Sequence, residues 1–112
     1  MLDPSNRVQF LTPRTLLVET TDPFPLRFSH VVMITRVVHR HGGGVTIESG
    51  GMQFDASSAF EIIQSLGFNP EAMRFAFQGP EPALQDLSRL CRHLLIEGKS
   101  NSWPDDLQYL RR

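Results

Sequence analysis

An α+β domain, an open antiparallel sheet with its helices on one face, is what this chain predicts, and three observations carry it. Residues 44–55 hold two alternating runs joined through Gly50-Gly51. A capped amphipathic stretch follows from Ser58, and a further alternating run covers 73–78. Helical stripes lie before and after this unit, so the order reads strand–helix–strand–strand–helix–strand–helix. Each helix then has one apolar stripe and each strand one apolar face to bury. The opposite face of the sheet is wet, with Thr46, Glu48, Gln53, Arg74 and Gln78 on it.

The chain has 112 residues, which points to one domain. A chain of that size buries roughly 60–70% of its unfolded surface, enough for a core without staples. Its net charge of −1 gives no field that would draw nucleic acid or an acidic membrane. Cys91 is its single cysteine, so no intramolecular disulfide forms and a reducing cytoplasmic setting is expected. No run approaches the ~20 apolar residues of a membrane span, and MLDPSNRVQF lacks a signal-peptide core. No membrane and no nucleic acid are therefore expected among its partners.

Residues 1–13 read as an arm, in which the weak alternation of Val8, Phe10 and Leu11 leaves open a short strand. Arg14 to Thr20 is a strand with Leu16 and Val18 on one face. Thr21 to Arg27 is a loop, because Pro23 and Pro25 disfavour helix just before them. Ser29 to His41 is β-branched, which leans toward strand. Its apolar positions Val31, Val32, Ile34, Val37 and Val38 follow a helical period, and Ser29 suits a cap. Arg36, His39 and Arg40 crowd the last turn, where cations complement the dipole, and Gly42 stops it. A helix is predicted.

Val45 and Ile47 then alternate with Thr46 and Glu48, and Met52 and Phe54 with Gln53 and Asp55. Gly50-Gly51 makes the two runs a hairpin, because a primed turn needs positive φ. Ser58 and Glu61 match the capping box of a helix with Phe60, Ile63 and Leu66 as its apolar face. Gly67 suits the left-handed closing position, with Phe68 reaching back to Ile63. After the Asn69-Pro70 turn, Met73, Phe75 and Phe77 form the next strand. Pro82 opens the last helix, with Leu84, Leu87, Leu90, Cys91, Leu94 and Leu95 as its stripe and Gly98 as its end. Residues 99–112 are a tail in which Trp103 and Tyr109 are too large to be left unpacked. They pack either on the domain or on a second subunit.

These elements resemble the histidine-containing phosphocarrier (HPr) family of the bacterial phosphotransferase system over Arg14 to Glu97. The likeness is best in VTIESGGMQFDASSAFEIIQSLGF, where Ala56, Ser58 and Leu66-Gly67 match the family's hairpin and second helix. The resemblance implies an HPr-like open-faced β-sandwich of four antiparallel strands with three helices on one face. Residues 14–98 would form that domain, flanked by the arm (1–13) and the tail (99–112).

The family carries its phosphoryl group on the histidine of a Gly-Leu-His-Ala-Arg-Pro motif before the first helix. A helix start offers N–H groups and a positive dipole end to phosphoryl oxygens, and arginine adds a matching fork. Spacing back from the Val45 strand sets Pro25-Leu26-Arg27-Phe28-Ser29-His30 on that motif. Leu26 matches. Arg27 stands where the phosphorylated histidine belongs, Ser29 where the arginine does and His30 where the proline does. A guanidinium has no free lone pair and does not accept a phosphoryl group. An alternative alignment makes His30 the acceptor but shortens the first helix by three residues.

Ser58 is nearest to the serine that regulates some family members, although a count from Gly67 reaches Ala59. Its other role is helix cap. Leu26, Arg27, Phe28, Ser29 and His30 are candidates for binding a partner or an anion. Arg27 and His30 are equally readable as ordinary surface charge. His39 and His41 point apart on a helix and make no metal pair, so they are read as solvated surface. Cys91 is read as a small core residue. Gly42-Gly43-Gly44 lacks the Lys-Ser/Thr of a phosphate loop. No Ser-His-Asp or paired-carboxylate arrangement stands out, and no cofactor is implied. The expected role is a cytoplasmic docking or regulatory module for phosphotransferase-system proteins, and an enzyme with a catalytic site of its own ranks third. The other reading is a structural domain that reuses the fold and assembles with itself through the tail.

Overall fold

The computed structural model describes residues 6–20, 28–66, 73–99 and 102–111. Its strands are β1 (Arg7–Thr12), β2 (Thr15–Thr20), β3 (Thr46–Ser49), β4 (Met52–Asp55) and β5 (Met73–Gln78). They form one antiparallel sheet in the order β1-β2-β5-β3-β4. The helices are α1 (Phe28–Arg40), α2 (Ala59–Leu66) and α3 (Glu81–Cys91). A π turn over Arg92–Ile96 extends α3, and a 3₁₀ segment covers Asp105–Arg111.

The sheet has five strands where four were expected. The additional strand is β1, in the stretch read as an arm. It pairs with β2 from Arg7↔Glu19 to Thr12↔Thr15, with an irregularity between Phe10 and Thr12. Its alternation is weak in sequence because Val8 alone of its six residues is buried. Pairing with β2 makes it a strand. The helical layer also exceeds the three helices expected, by the π turn and the 3₁₀ segment.

Two crossovers set the architecture. The chain runs β2–α1–β3 and β4–α2–β5, and each crossover passes over one intervening strand. The two run in opposite directions, from strands of opposite sense, so right-handed connections put α1 and α2 on the same face. Phe10, Leu16, Phe77, Ile47 and Phe54 stand opposite one another in one row across all five strands. The central three are fully enclosed, and Phe75 meets Phe77 edge to face at 5.4 Å between centroids. Val31, Ile34, Val37 and Val38 of α1, Ile62 of α2 and Leu84, Leu87 and Leu90 of α3 complete the core. Thr46 lies opposite Gln78, Glu48 opposite Gln53 and Arg74 opposite Glu19 on the other face, as expected.

Gly50 and Gly51 take φ of +59° and +81°, the two positive values a primed two-residue hairpin demands. Gly79 has a different reason to be glycine. A Cβ there would lie 2.9 Å from Gly44 O and 3.1 Å from Val45 Cα.

The helix over the β-branched stretch is present, but it begins at Phe28. Ser29 therefore lies inside its first turn rather than capping it. The α2 face differs from the expected one. Ile62 is the enclosed residue, Ile63 is half-buried, and Phe60 is 69% exposed. The 21–27 loop, the Gly67 and Phe68 closing motif and the Asn69-Pro70 turn lie outside the described residues.

The stripe is buried at Leu84, Leu87, Leu90 and Cys91 of α3 and at Leu94 of the π turn, while Leu95 is only partly buried, and burial pushes the Cys91 thiol up to about 12. The chain then turns at Gly98, φ +72°, where Lys99 N–H reaches His93 O at 3.0 Å. Trp103 and Leu107 fold back into the core of their own chain, at 7% and 1% exposure. Tyr109 stays half exposed with the Arg40 guanidinium 5.7 Å over its ring. Arg36 Nη1 donates to Leu110 O at 3.0 Å, which ties the same segment to α1. At the opposite margin, Arg92 Nη2 donates to Val8 O at 2.6 Å. That guanidinium occupies an acceptor of the edge strand β1, a guard against pairing with another chain.

Candidate functional site

The residues singled out by the sequence sit on two helices, and α1 places most of them. Leu26 and Arg27 lie outside the described residues. Phe28 and Ser29 are exposed in the first turn, Phe28 by 64%. His30, one residue on, faces inward at 2% exposure. A phosphoryl group handed from one protein to another requires a reachable nitrogen, so burial works against His30 as the acceptor.

Helical spacing sets Phe28, Val32, Thr35 and His39 along one flank of α1. His39 identifies what that flank faces, because its Nε2 lies 2.9 Å from Ser57 O, just before α2. The end of α1 thus meets the start of α2. Phe28 to His39 spans about 16 Å at 1.5 Å per residue. Phe28 and Ser58 mark opposite ends of the helix pair, and a partner touching both lies along it.

The start of α2 is built from four consecutive residues. Asp55 Oδ1 accepts from Ser57 N–H at 2.8 Å and from Ser57 Oγ at 2.6 Å. These bonds hold the Asp55 carboxyl below the usual carboxylate range, the hydroxyl first and the N–H second. The nearby His39 adds to them, while slight burial opposes them. Ser58 Oγ accepts Glu61 N–H at 3.2 Å, the cap its position implies. The capping box is only half formed. Glu61 Oε1 accepts from Asp55 N–H at 3.2 Å, and Ser58 N–H goes to Asp55 O. Phe60 stands exposed just beyond.

Two further histidines have partners that sequence reasoning missed. His41 is not simply solvated: its Nε2 lies 2.7 Å from Asp86 Oδ2, and Arg89 Nη1 holds the other oxygen at 2.6 Å. Its partner is 45 residues away, so no local pattern announces it. His93 Nε2 lies 2.8 Å from Ser102 Oγ, and its Nδ1 lies 4.0 Å from Glu97 Oε1. The four-residue His93–Glu97 spacing before a Gly98 stop was the available signal. Among the described residues, no group of three or more His, Cys, Asp or Glu is placed to hold a metal ion. No described helix is long and apolar enough to cross a membrane.

Among the described residues, the α1–α2 pair therefore offers two exposed aromatic rings and a polar helix start between its capping bonds. Compared with known proteins, the chain matches no family model, no curated protein and no solved structure. The class that the fold defines is an α+β open-faced sheet with its helices on one side.

Proposed function

We propose that this chain is an HPr-like docking module that binds a phosphotransferase-system protein along the α1–α2 pair. The observation that carries the reading is the exposure of Phe28 by 64% and of Phe60 by 69% on adjoining helices. Large rings left in water are residues that can dominate binding energy when a partner covers them. The β2-to-α3 order and the Gly50-Gly51 hairpin support the family likeness. The alignment of Arg27 with the acceptor histidine and the enclosure of His30 favour docking over phosphoryl carriage. Ser58 serves as the cap of α2.

The test is a calorimetric titration with the phosphoenolpyruvate-dependent general enzyme of the system, followed by intact-mass measurement in the presence of phosphoenolpyruvate. Binding is expected, with Phe28→Ala and Phe60→Ala each weakening it about 10- to 30-fold, and with no added phosphoryl mass. No heat of binding, or binding indifferent to both substitutions, refutes the docking surface. A phosphoryl gain that disappears in His30→Ala restores the carrier role.

A further inference from the structure

The His93 cluster lies at the other margin of the sheet, where the π turn packs beside β1. It is independent of the α1–α2 surface. Its ring is 8% exposed, while Ser102 is at the surface. The base is therefore dry and the hydroxyl reachable. The π turn sets this geometry: Glu97 N–H bonds Arg92 O at 2.9 Å, one residue wider than an α-turn. Such single wide turns recur at functional sites because they re-aim the side chains they carry. The second ring nitrogen faces the Glu97 carboxylate at 4.0 Å, and Lys99 Nζ stands 3.7 Å from the same oxygen. Nucleophile, base and orienting carboxylate lie in that sequence through one imidazole, the arrangement that activates a serine.

We propose that Ser102, with His93 as its base and Glu97 as a positioning residue, is a nucleophile toward small activated carboxylic esters. Ser102 Oγ adds to the ester carbonyl carbon as its proton passes to His93 Nε2. The bond from that carbon to the leaving oxygen then breaks, and the imidazolium returns the proton to that oxygen. Water, deprotonated by the same nitrogen, splits the seryl ester to carboxylic acid and restores the hydroxyl. The Glu97 carboxylate stands on the Nδ1 side of the ring, 4.0 Å away, and a proton placed on Nδ1 toward that charge leaves Nε2 as the acceptor.

The full-length chain is treated with a fluorophosphonate probe, which forms an Oγ–P bond and releases fluoride. Peptide mapping then locates the adduct. One adduct is expected on Ser102, absent in Ser102→Ala. In His93→Gln, which retains a polar group beside Oγ, labelling slows about 100-fold or more. In Glu97→Gln it slows by about tenfold or more with Tm unchanged. p-Nitrophenyl acetate hydrolysis is expected to fall in parallel. Labelling no faster than that of a serine peptide, labelling at another residue, or a rate unchanged in His93→Gln overturns the proposal. The His93–Ser102 bond is then a tether for the tail.

Should His93→Gln unfold the chain, Ser102→Cys gives a second reading. Cys91 is buried and its thiol pushed up to about 12, so alkylation reports position 102. A thiol there that reacts with iodoacetamide faster than free cysteine at neutral pH supports an activating base. A rate equal to or below free cysteine overturns one.

Discussion

Replacing Leu107 with alanine tests whether the last segment is part of the domain or an appendage to it. Leu107 is 1% exposed and shares the main core cluster with Trp103. Truncating an enclosed leucine removes its transfer energy and leaves a cavity, together about 2–5 kcal/mol. With a urea m-value of roughly 1–3 kcal/mol per M, the unfolding midpoint falls by about 1 M or more. The chain carries its own reporter, because Trp103 is its only tryptophan and is 7% exposed. Burial keeps its emission blue, and release of the segment shifts it red. Urea titrations are followed in parallel by tryptophan emission and far-UV circular dichroism. The two curves are expected to superimpose in the parent chain, and to superimpose again at a lower midpoint in Leu107→Ala. A red shift that precedes the loss of helix signal refutes the reasoning. So does an unchanged midpoint in the variant.

Gly79→Ala is expected to cost about 1–3 kcal/mol, because its Cβ meets Gly44 O at 2.9 Å and backbone must move; thermal melting measures it, and an unchanged Tm contradicts the close approach. Ser58→Ala is expected to lose about 1 kcal/mol and Ser58→Gly only a few tenths, the pattern of a cap bonded to Glu61 N–H. Equal losses in chemical denaturation would point to some other role for the hydroxyl. Asp55 is held below the usual carboxylate range by Ser57, so its ionised form is favoured by folding. Its contribution is present above the unfolded carboxylate value and is lost as pH falls through the lowered folded value. Asp55→Asn should thus be slightly less stable than the parent chain near neutrality, with the gap closing in acid. The gap is small because the group is exposed. A gap that stays constant from about pH 7 to pH 2 would remove the linkage.

Where a single residue or a short period decides the outcome, the sequence was enough. Gly50-Gly51 read as a primed turn because both positions need positive φ, and both have it. The helix over Ser29 to His41 was legible against its β-branched composition, because Val31, Ile34, Val37 and Val38 follow the helical period and are buried. The α3 stripe was legible for the same reason. On α2 the period failed. Eight residues make little more than two turns, and the 60/63/66 spacing rivals the one through Ile62. The sheet at β3 and β4 chose Ile62 and left Phe60 in water.

The candidate sites divide along the same line. Ser58 as a cap was readable from four residues, but the destination of the Glu61 carboxylate was not. His41–Asp86 and the contact of Arg92 with Val8 O join residues 45 and 84 apart, and neither has a local signature. What the sequence by itself determined is the class of fold and the places where the chain turns or starts a helix. Those rest on φ sign, side-chain period and hydrogen bonds within a few residues. The fifth strand, the inward turn of His30, the separation of Phe28 from Ser58 and the docking of Trp103 were decided only by the tertiary structure. Each depends on which distant surface a residue meets once the sheet has closed.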